Sequence, residues 1–279
     1  MAQRGGRAYL CGMAAPIILD RALIRASGPE AGDFLNNLVT RDLARLASAP
    51  VIYSGLLSPQ GKVLADFFIW RTEDGFLIDA DKSRGADLLR RLTLFRLRAK
   101  VELRDASAEA SIEAYLTAPP AEAAADPRLA ALGWRRIGPK QAPQGEAAYR
   151  AHGLALGVPD LALDAGVEEV FALEALFEEL NGVDFQKGCF VGQENVSRMK
   201  RRATTRKKFC LVEAGGAAAG ARVLAGEAEI GTVRAVGPGG ALALLRLDRA
   251  QSASNLSIEG KPARPRPSAW LILPPAEGG

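Results

Sequence analysis

A chain of 279 residues, 48% apolar and 24% charged, has the composition of a folded globular protein, which excludes wholesale disorder, and its length suits two domains better than one. The 36 Lys and Arg against 32 Asp and Glu leave a net charge of +4, too mild for a protein built to coat nucleic acid, and no run of about 18 apolar residues is present to span a membrane. Three scattered cysteines (Cys11, Cys189, Cys210) and one histidine (His152) argue against a disulfide framework and against a self-contained zinc or iron–sulfur site, and fit a reducing compartment. A Ser-His-Asp triad would have to be built on His152, which reads more simply as a surface or strand-end imidazole.

Arg4 and Arg7 ahead of the mostly apolar stretch Ala8 to Leu19 imitate a secretory leader, but Pro16 interrupts it and no small-x-small cleavage site closes it. A mature cytoplasmic terminus is expected, with an organellar transit segment in the first dozen residues as the alternative. Ile17–Leu19 and Leu23–Ile24 around Asp20-Arg21 suggest a hairpin, stopped by Ser27-Gly28-Pro29. Phe34, Leu35 and Leu38 share one face of a helix starting near Glu30. Val51–Leu57, Val63–Trp70 and Phe76–Ala80, joined by Ser58-Pro59-Gln60-Gly61-Lys62 and Glu73-Asp74-Gly75, read as a three-stranded meander. Asp81 or Ser83 can cap a helix to about Arg96, with Leu88, Leu89 and Leu92 as its buried stripe.

Strands are expected at 99–103, 111–117 and 133–137, with an Ala/Pro-rich loop over 118–126 and a polar, Gly/Pro-rich stretch over 137–150. Leu173, Leu176, Phe177 and Leu180 fall at i, i+3, i+4, i+7, which predicts a helix ending at Asn181-Gly182. Beyond Lys208, short apolar runs at 211, 222–224, 230–236, 241–247 and 270–273 between glycines predict a small antiparallel barrel or sandwich, with the boundary near 203–209.

The segment richest in chemistry is Lys187-Gly188-Cys189-Phe190-Val191-Gly192-Gln193-Glu194. Gly188 and Gly192 permit positive φ or close backbone approach; Lys187 near the sulfur would lower the thiol pKa; Gln193 and Glu194 suit a polar heterocycle. Taken as residues alone, the segment reads first as a structural turn around an inert buried cysteine. Arg198-Met199-Lys200-Arg201-Arg202 and Arg206-Lys207-Lys208 put seven bases into eleven residues without an acid. That field suits an anionic tail, a phosphate backbone or an acidic partner protein, or is a solvated face; no aromatic residues interleave it, which disfavours direct RNA binding. Arg90, Arg91, Arg96, Arg98 and Lys100 read as a helix exterior and strand edge. Cys11 and Cys210 read as packing residues.

The octapeptide resembles the K-G-C-(F/Y)-x-G-Q-E signature of the YgfZ/Iba57 family, folate-binding relatives of the glycine-cleavage T-protein (aminomethyltransferase). Ser27-Gly28-Pro29-Glu30 through Thr40, Leu57 through Asp66, and Leu97-Arg98-Ala99-Lys100-Val101 are similar to further family motifs, so the resemblance spans about residues 15–250. It implies an α+β fold: T-protein-like folate-binding subdomains around a central opening over residues 15–205, and an antiparallel β-barrel over 206–279. It implies a tetrahydrofolate-binding accessory protein, with or without a polyglutamate tail on the ligand, that supports assembly or repair of iron–sulfur clusters, including those of tRNA-modifying enzymes.

Its expected partners are folate and iron–sulfur assembly or client proteins, with no membrane and no direct nucleic acid; a monomer in the cytoplasm, or in an organelle matrix, is favoured. The carried-over site has Cys189 as an exposed reactive thiol tuned by Lys187. Asp66, Arg98, Gly188, Gly192, Gln193, Glu194 and Arg198 are expected around the cofactor. T-proteins carry paired acids where this chain has Ala65-Asp66, which makes aminomethyl transfer doubtful; a one-carbon transferase is the alternative function, and an RNA-contacting adaptor the third reading.

Overall fold

The computed structural model describes residues 15–276. The leader-like stretch and Cys11 lie outside them. In chain order the strands are β1 (Ile17–Leu19), β2 (Arg21–Ser27), β3 (Val51–Leu57), β4 (Val63–Thr72), β5 (Gly75–Asp81), β6 (Glu102–Asp105), β7 (Ala110–Tyr115), β8 (Ala124–Ala125), β9 (Trp134–Pro139), β10 (Lys207–Ala214), β11 (Arg222–Ala225), β12 (Ala228–Gly237), β13 (Gly240–Arg246), β14 (Leu256–Ile258) and β15 (Lys261–Arg266). The α-helices are α1 (Ala31–Leu38), α2 (Lys82–Arg96), α3 (Glu146–Leu156), α4 (Leu161–Asp164), α5 (Gln193–Arg201) and α6 (Leu247–Ala250).

The expected meander is the start of an antiparallel five-stranded sheet, β3-β4-β5-β2-β6. Its two faces follow from the two-residue period of a strand. Ile24, Phe67, Ile69 and Ile78 turn toward Phe34 and Leu35 of α1 and Leu88 and Leu92 of α2. Leu23, Tyr53, Phe68, Trp70 and Leu77 turn the other way, into a core shared with the second sheet and the barrel. The Asp81 carboxylate caps α2 by accepting from the Ser83 amide at 2.8 Å. The second sheet has the order β1-β7-β9-β8 and the third is a closed barrel, β10-β13-β12-β11-β14-β15.

Four expectations need correction. Residues 17–24 do not form a hairpin: β1 pairs with β7 while β2 pairs with β5 and β6, so the chain changes sheets at Asp20. The polar stretch after 137 contains α3, whose Ala-rich run is interrupted by Gly153 and carries no strong apolar period. Trp270–Leu273 is not a strand; β14 and β15 complete the barrel instead.

The helix expected over 170–181 is absent. Leu176 has φ +64°, and the Phe177 amide donates to Ala172 O and the Gly182 amide to Phe177 O, five residues back in each case. The segment therefore advances as separate turns. Its four periodic side chains are still buried, Leu173, Leu176, Phe177 and Leu180 all being at most 2% exposed. A positive φ at leucine costs ~1–2 kcal/mol, which burial of four large apolar side chains at ~1.5–3 kcal/mol each outweighs. A buried ion pair between Lys208 of β10 and Glu179, at 2.5 Å, ties this segment to the barrel.

Candidate functional site

The octapeptide forms the approach to α5, and its position is fixed by the loop that follows α1. Thr40 anchors the preceding residues: its hydroxyl donates to Gly182 O at 2.6 Å, and its carbonyl accepts from the Asp184 amide at 3.0 Å. Arg45 clasps the Asp184 carboxylate at 2.9 and 3.0 Å. Lys187 completes the seam. It is 7% exposed, and its ammonium donates to Asn36 O at 2.6 Å, Val39 O at 2.7 Å and Arg41 O at 3.4 Å. These carbonyls belong to the last turn of α1 and the chain just beyond it, where helix acceptors lack partners. Burial lowers the Lys187 pKa to about 8, against the pull of Asp42 and Asp184. No hydrogen bond joins Lys187 to Cys189; the lysine holds the loop's scaffold.

Gly192 precedes α5 with φ +83°, and a Cβ there would lie 2.6 Å from Ser58 O and 3.0 Å from Gly61 Cα. The loop thus rests backbone to backbone on the β3–β4 turn, which only glycine permits. Gly188 differs from that expectation: its φ is not positive and open space surrounds it. Phe190 is buried, and Cys189 beside it is exposed. Gln193 reaches back to Lys187 O at 3.4 Å; Glu194 is exposed; Arg198 is exposed and donates to Asn195 Oδ1. Lys200 pairs with Glu178. Buried Cys210, whose thiol pKa burial raises to about 12, is inert at neutral pH.

A cavity of about 670 Å³ opens elsewhere, between the five-stranded sheet, β1 and α3. Register explains its floor. Tyr53 pairs with Phe68, Phe68 with Asp79, and Asp66 lies two residues before Phe68 on the same face. The Tyr53 hydroxyl donates to Asp66 Oδ2 at 3.0 Å. Arg21 and Arg135 both pair with the buried Asp79, at 2.5 and 2.8 Å, and the Arg135 guanidinium stacks 3.6 Å over Phe68. Arg128 grips Asp126 through two bonds at 2.9 and 3.0 Å and also reaches the Tyr149 hydroxyl at 2.9 Å. Asp126 and its arginines bury their charges as mutually satisfied pairs, which drops the Asp126 pKa to about 2 despite burial. Burial and the Asp160 charge raise the Asp66 pKa; Arg21, Arg128 and the Tyr53 bond oppose them.

Of the expected site residues, Asp66 alone lines this cavity. The octapeptide, Arg198 and the rest of the basic run do not, and Arg98 stands exposed just past α2. The cysteine loop and this cavity therefore share no lining residue. The cavity residues that sequence reasoning missed are Arg21, Arg128, Arg135, Tyr149 and Asp160, with Tyr53 behind Asp66. Among the described residues no group of three or more His, Cys, Asp or Glu is placed to hold a metal ion, and no helix is long and apolar enough to cross a membrane.

Comparison with known proteins follows the same division. Residues 206–272 match the CAF17 C-terminal beta-barrel domain. The chain is 33% identical over 225 residues to the mitochondrial iron–sulfur cluster assembly factor IBA57 of Homo sapiens, covering 68% of this chain and 63% of that protein. It is 29% identical over 237 residues to the mitochondrial IBA57 homolog of Neurospora crassa (72% and 54%) and 31% over 218 residues to that of Mycosarcoma maydis (68% and 54%). The chain thus spans little more than half the length of these relatives. Among solved structures, the glycine cleavage system aminomethyltransferase T of Bartonella henselae superposes with a TM-score of 0.72 over 94% of this chain and 87% of its own, at 16% identity. The fold is that of the aminomethyltransferase, with the barrel as its C-terminal part.

Proposed function

We propose that the protein is an iron–sulfur cluster assembly or repair factor that binds tetrahydrofolate, with clusters of tRNA-modifying enzymes among its clients. The observation that carries this reading is the exposed Cys189 on a loop anchored at Lys187, Phe190 and Gly192, in a chain similar to iron–sulfur assembly factors over two thirds of its length. A thiol presented this way is available to a partner protein, to a cluster or to a reactive folate species. The basic residues of α5 surround the approach with positive charge and favour an acidic partner. This chemistry needs a reducing compartment, the cytoplasm or an organelle matrix.

The cavity suits folate in size and in donor set. A volume of about 670 Å³ is ordinary for a ligand of that size. Asp66 offers Oδ1, which takes no hydrogen bond from the described residues, a fitting acceptor for an amino-pyrimidinone edge. Buried Arg135, in the wall, has an Nε without a partner. Lys82, 67% exposed and paired with Asp20, stands where tail carboxylates would leave the cavity. When bound, tetrahydrofolate supplies a carrier for one-carbon units; Asp66, Lys82 and the arginine wall bind and orient it.

The test has two arms. Asp66→Asn should weaken tetrahydrofolate binding in calorimetry by roughly tenfold while the fold is kept. Cys189→Ala should leave that affinity unchanged yet lower the activity of a cluster-dependent enzyme in cells that rely on this protein. Full client activity with the Ala variant would remove the thiol from the mechanism, and absence of any folate binding by the unmodified protein would remove the cofactor.

A further inference from the structure

Five acids line the cavity. Asp20 pairs with Lys82, Asp81 caps α2 and Glu146 accepts from the Asp20 amide. The other two, Asp66 of β4 and Asp160 just before α4, come from parts of the chain 94 residues apart. Each has one oxygen committed to the protein. Asp66 Oδ2 accepts from Tyr53, and Asp160 Oδ1 accepts from the Ala162 amide at 3.2 Å. Neither Asp66 Oδ1 nor Asp160 Oδ2 takes a hydrogen bond from any described residue. Among the described residues no cation forms an ion pair with either. Arg21 and Arg135 are spent on Asp79, Arg128 on Asp126, and Arg150 on Asp164. The groups that act on Asp66 are therefore Asp160 in one direction, and Arg21, Arg128 and the Tyr53 hydroxyl in the other. Carboxylate oxygens accept hydrogen bonds, and the free ones here call for N–H donors.

This arrangement also answers the missing acid of the hairpin. Ala65 is buried in the core between the sheet and helices α1 and α2, on the face opposite Asp66. A carboxylate at position 65 would not reach this cavity, whereas Asp160 does.

We propose that Asp160 is a specificity-determining residue, which with Asp66 makes the cavity select a reduced, N–H-bearing pteridine over the oxidised ring. The inference rests on the folate reading above and deepens it. Reduced and oxidised folates share the amino-pyrimidinone edge, so one carboxylate cannot tell them apart. They differ in the second ring, where reduction turns bare nitrogen acceptors into N–H donors. A second carboxylate gains a bond from the reduced ring and meets a lone pair on the oxidised one. A buried acceptor left facing an acceptor is penalised heavily, so the discrimination is larger than one neutral hydrogen bond would give.

The test is anaerobic calorimetry of the full chain with tetrahydrofolate and with folic acid, for the unmodified protein, Asp160→Asn and Asp66→Asn. Asparagine keeps the cap on α4, because its side-chain oxygen can accept the same amide bond. The unmodified protein should prefer tetrahydrofolate by at least roughly tenfold. Asp160→Asn should shrink that ratio to about threefold or less, by weakening tetrahydrofolate and improving folic acid, while Asp66→Asn weakens both ligands alike. An unchanged ratio in Asp160→Asn, with both ligands still bound, overturns the role of Asp160 and leaves the folate reading standing. Failure of the unmodified protein to bind either ligand overturns both.

Discussion

Replacing Lys187 by methionine separates a scaffolding lysine from a chemical one. The ammonium makes two short charge-assisted bonds, to Asn36 O and Val39 O, and a longer one to Arg41 O. At ~1.5–3 kcal/mol each, the two short bonds supply ~3–6 kcal/mol. Against this stands the cost of burying the ammonium. Lowering its pKa from 10.5 to about 8 corresponds to roughly 3.4 kcal/mol at 1.36 kcal/mol per unit. The net loss in Lys187→Met is about 1 kcal/mol, or roughly 2–4 °C in Tm for a chain of this size.

The pH dependence gives a second signature. A base whose folded pKa lies below its unfolded one releases its proton first in the folded state. Between about pH 8 and 10.5 the unfolded chain then binds more protons, so this group's contribution to stability rises with pH across that window and is constant below it. Thermal melts of the two proteins from pH 7 to 10.5 should diverge, the unmodified protein gaining relative to Lys187→Met above pH 8. Equal melting temperatures at pH 7, parallel curves above it and a loss confined to client-enzyme activity would refute the clamp and return Lys187 to the thiol's chemistry.

Gly192→Ala forces a Cβ to within 2.6 Å of Ser58 O at a φ of +83°, and should cost ~2–4 kcal/mol and loosen α5. Faster amide exchange in residues 188–200 would show it, and unchanged protection would mean that the turn-to-loop contact is dispensable. Asp126, with its folded pKa near 2 between Arg128 and Arg135, contributes stability that is complete above about pH 4 and lost as pH falls from 4 to 2. Asp126→Asn should lack about 2 kcal/mol of that acid limb in denaturant melts across pH 2–6. An identical acid limb in both proteins would show that the pairs do not hold in solution.

The parts of the fold legible in the sequence are those whose signal is local. The β3–β4–β5 meander is written in alternation and turn residues, and α2 in its cap and stripe. The 170–181 segment shows where that logic stops: spacing reports which side chains are buried, and Leu173, Leu176, Phe177 and Leu180 are, but it does not report the backbone path that buries them. The cysteine loop was visible because its residues are contiguous. The cavity was not, because Asp66, Arg128, Arg135 and Asp160 meet only through three separate chain crossings. One clue was present: an acid in the middle of the apolar strand Phe76–Ala80 requires a buried cation, and Asp79 has two.

The exposed Cys189 and the cavity that Asp66 lines lie apart, yet one strand links them mechanically. Gly192 rests on the Ser58–Lys62 turn, that turn launches β4, and Asp66 stands four residues beyond Lys62 on the cavity floor. The contact is backbone against backbone, so it transmits position but neither proton nor charge. The same hairpin thus carries the cysteine loop on its turn and Asp66 a few residues along β4, so a change in the turn shifts both.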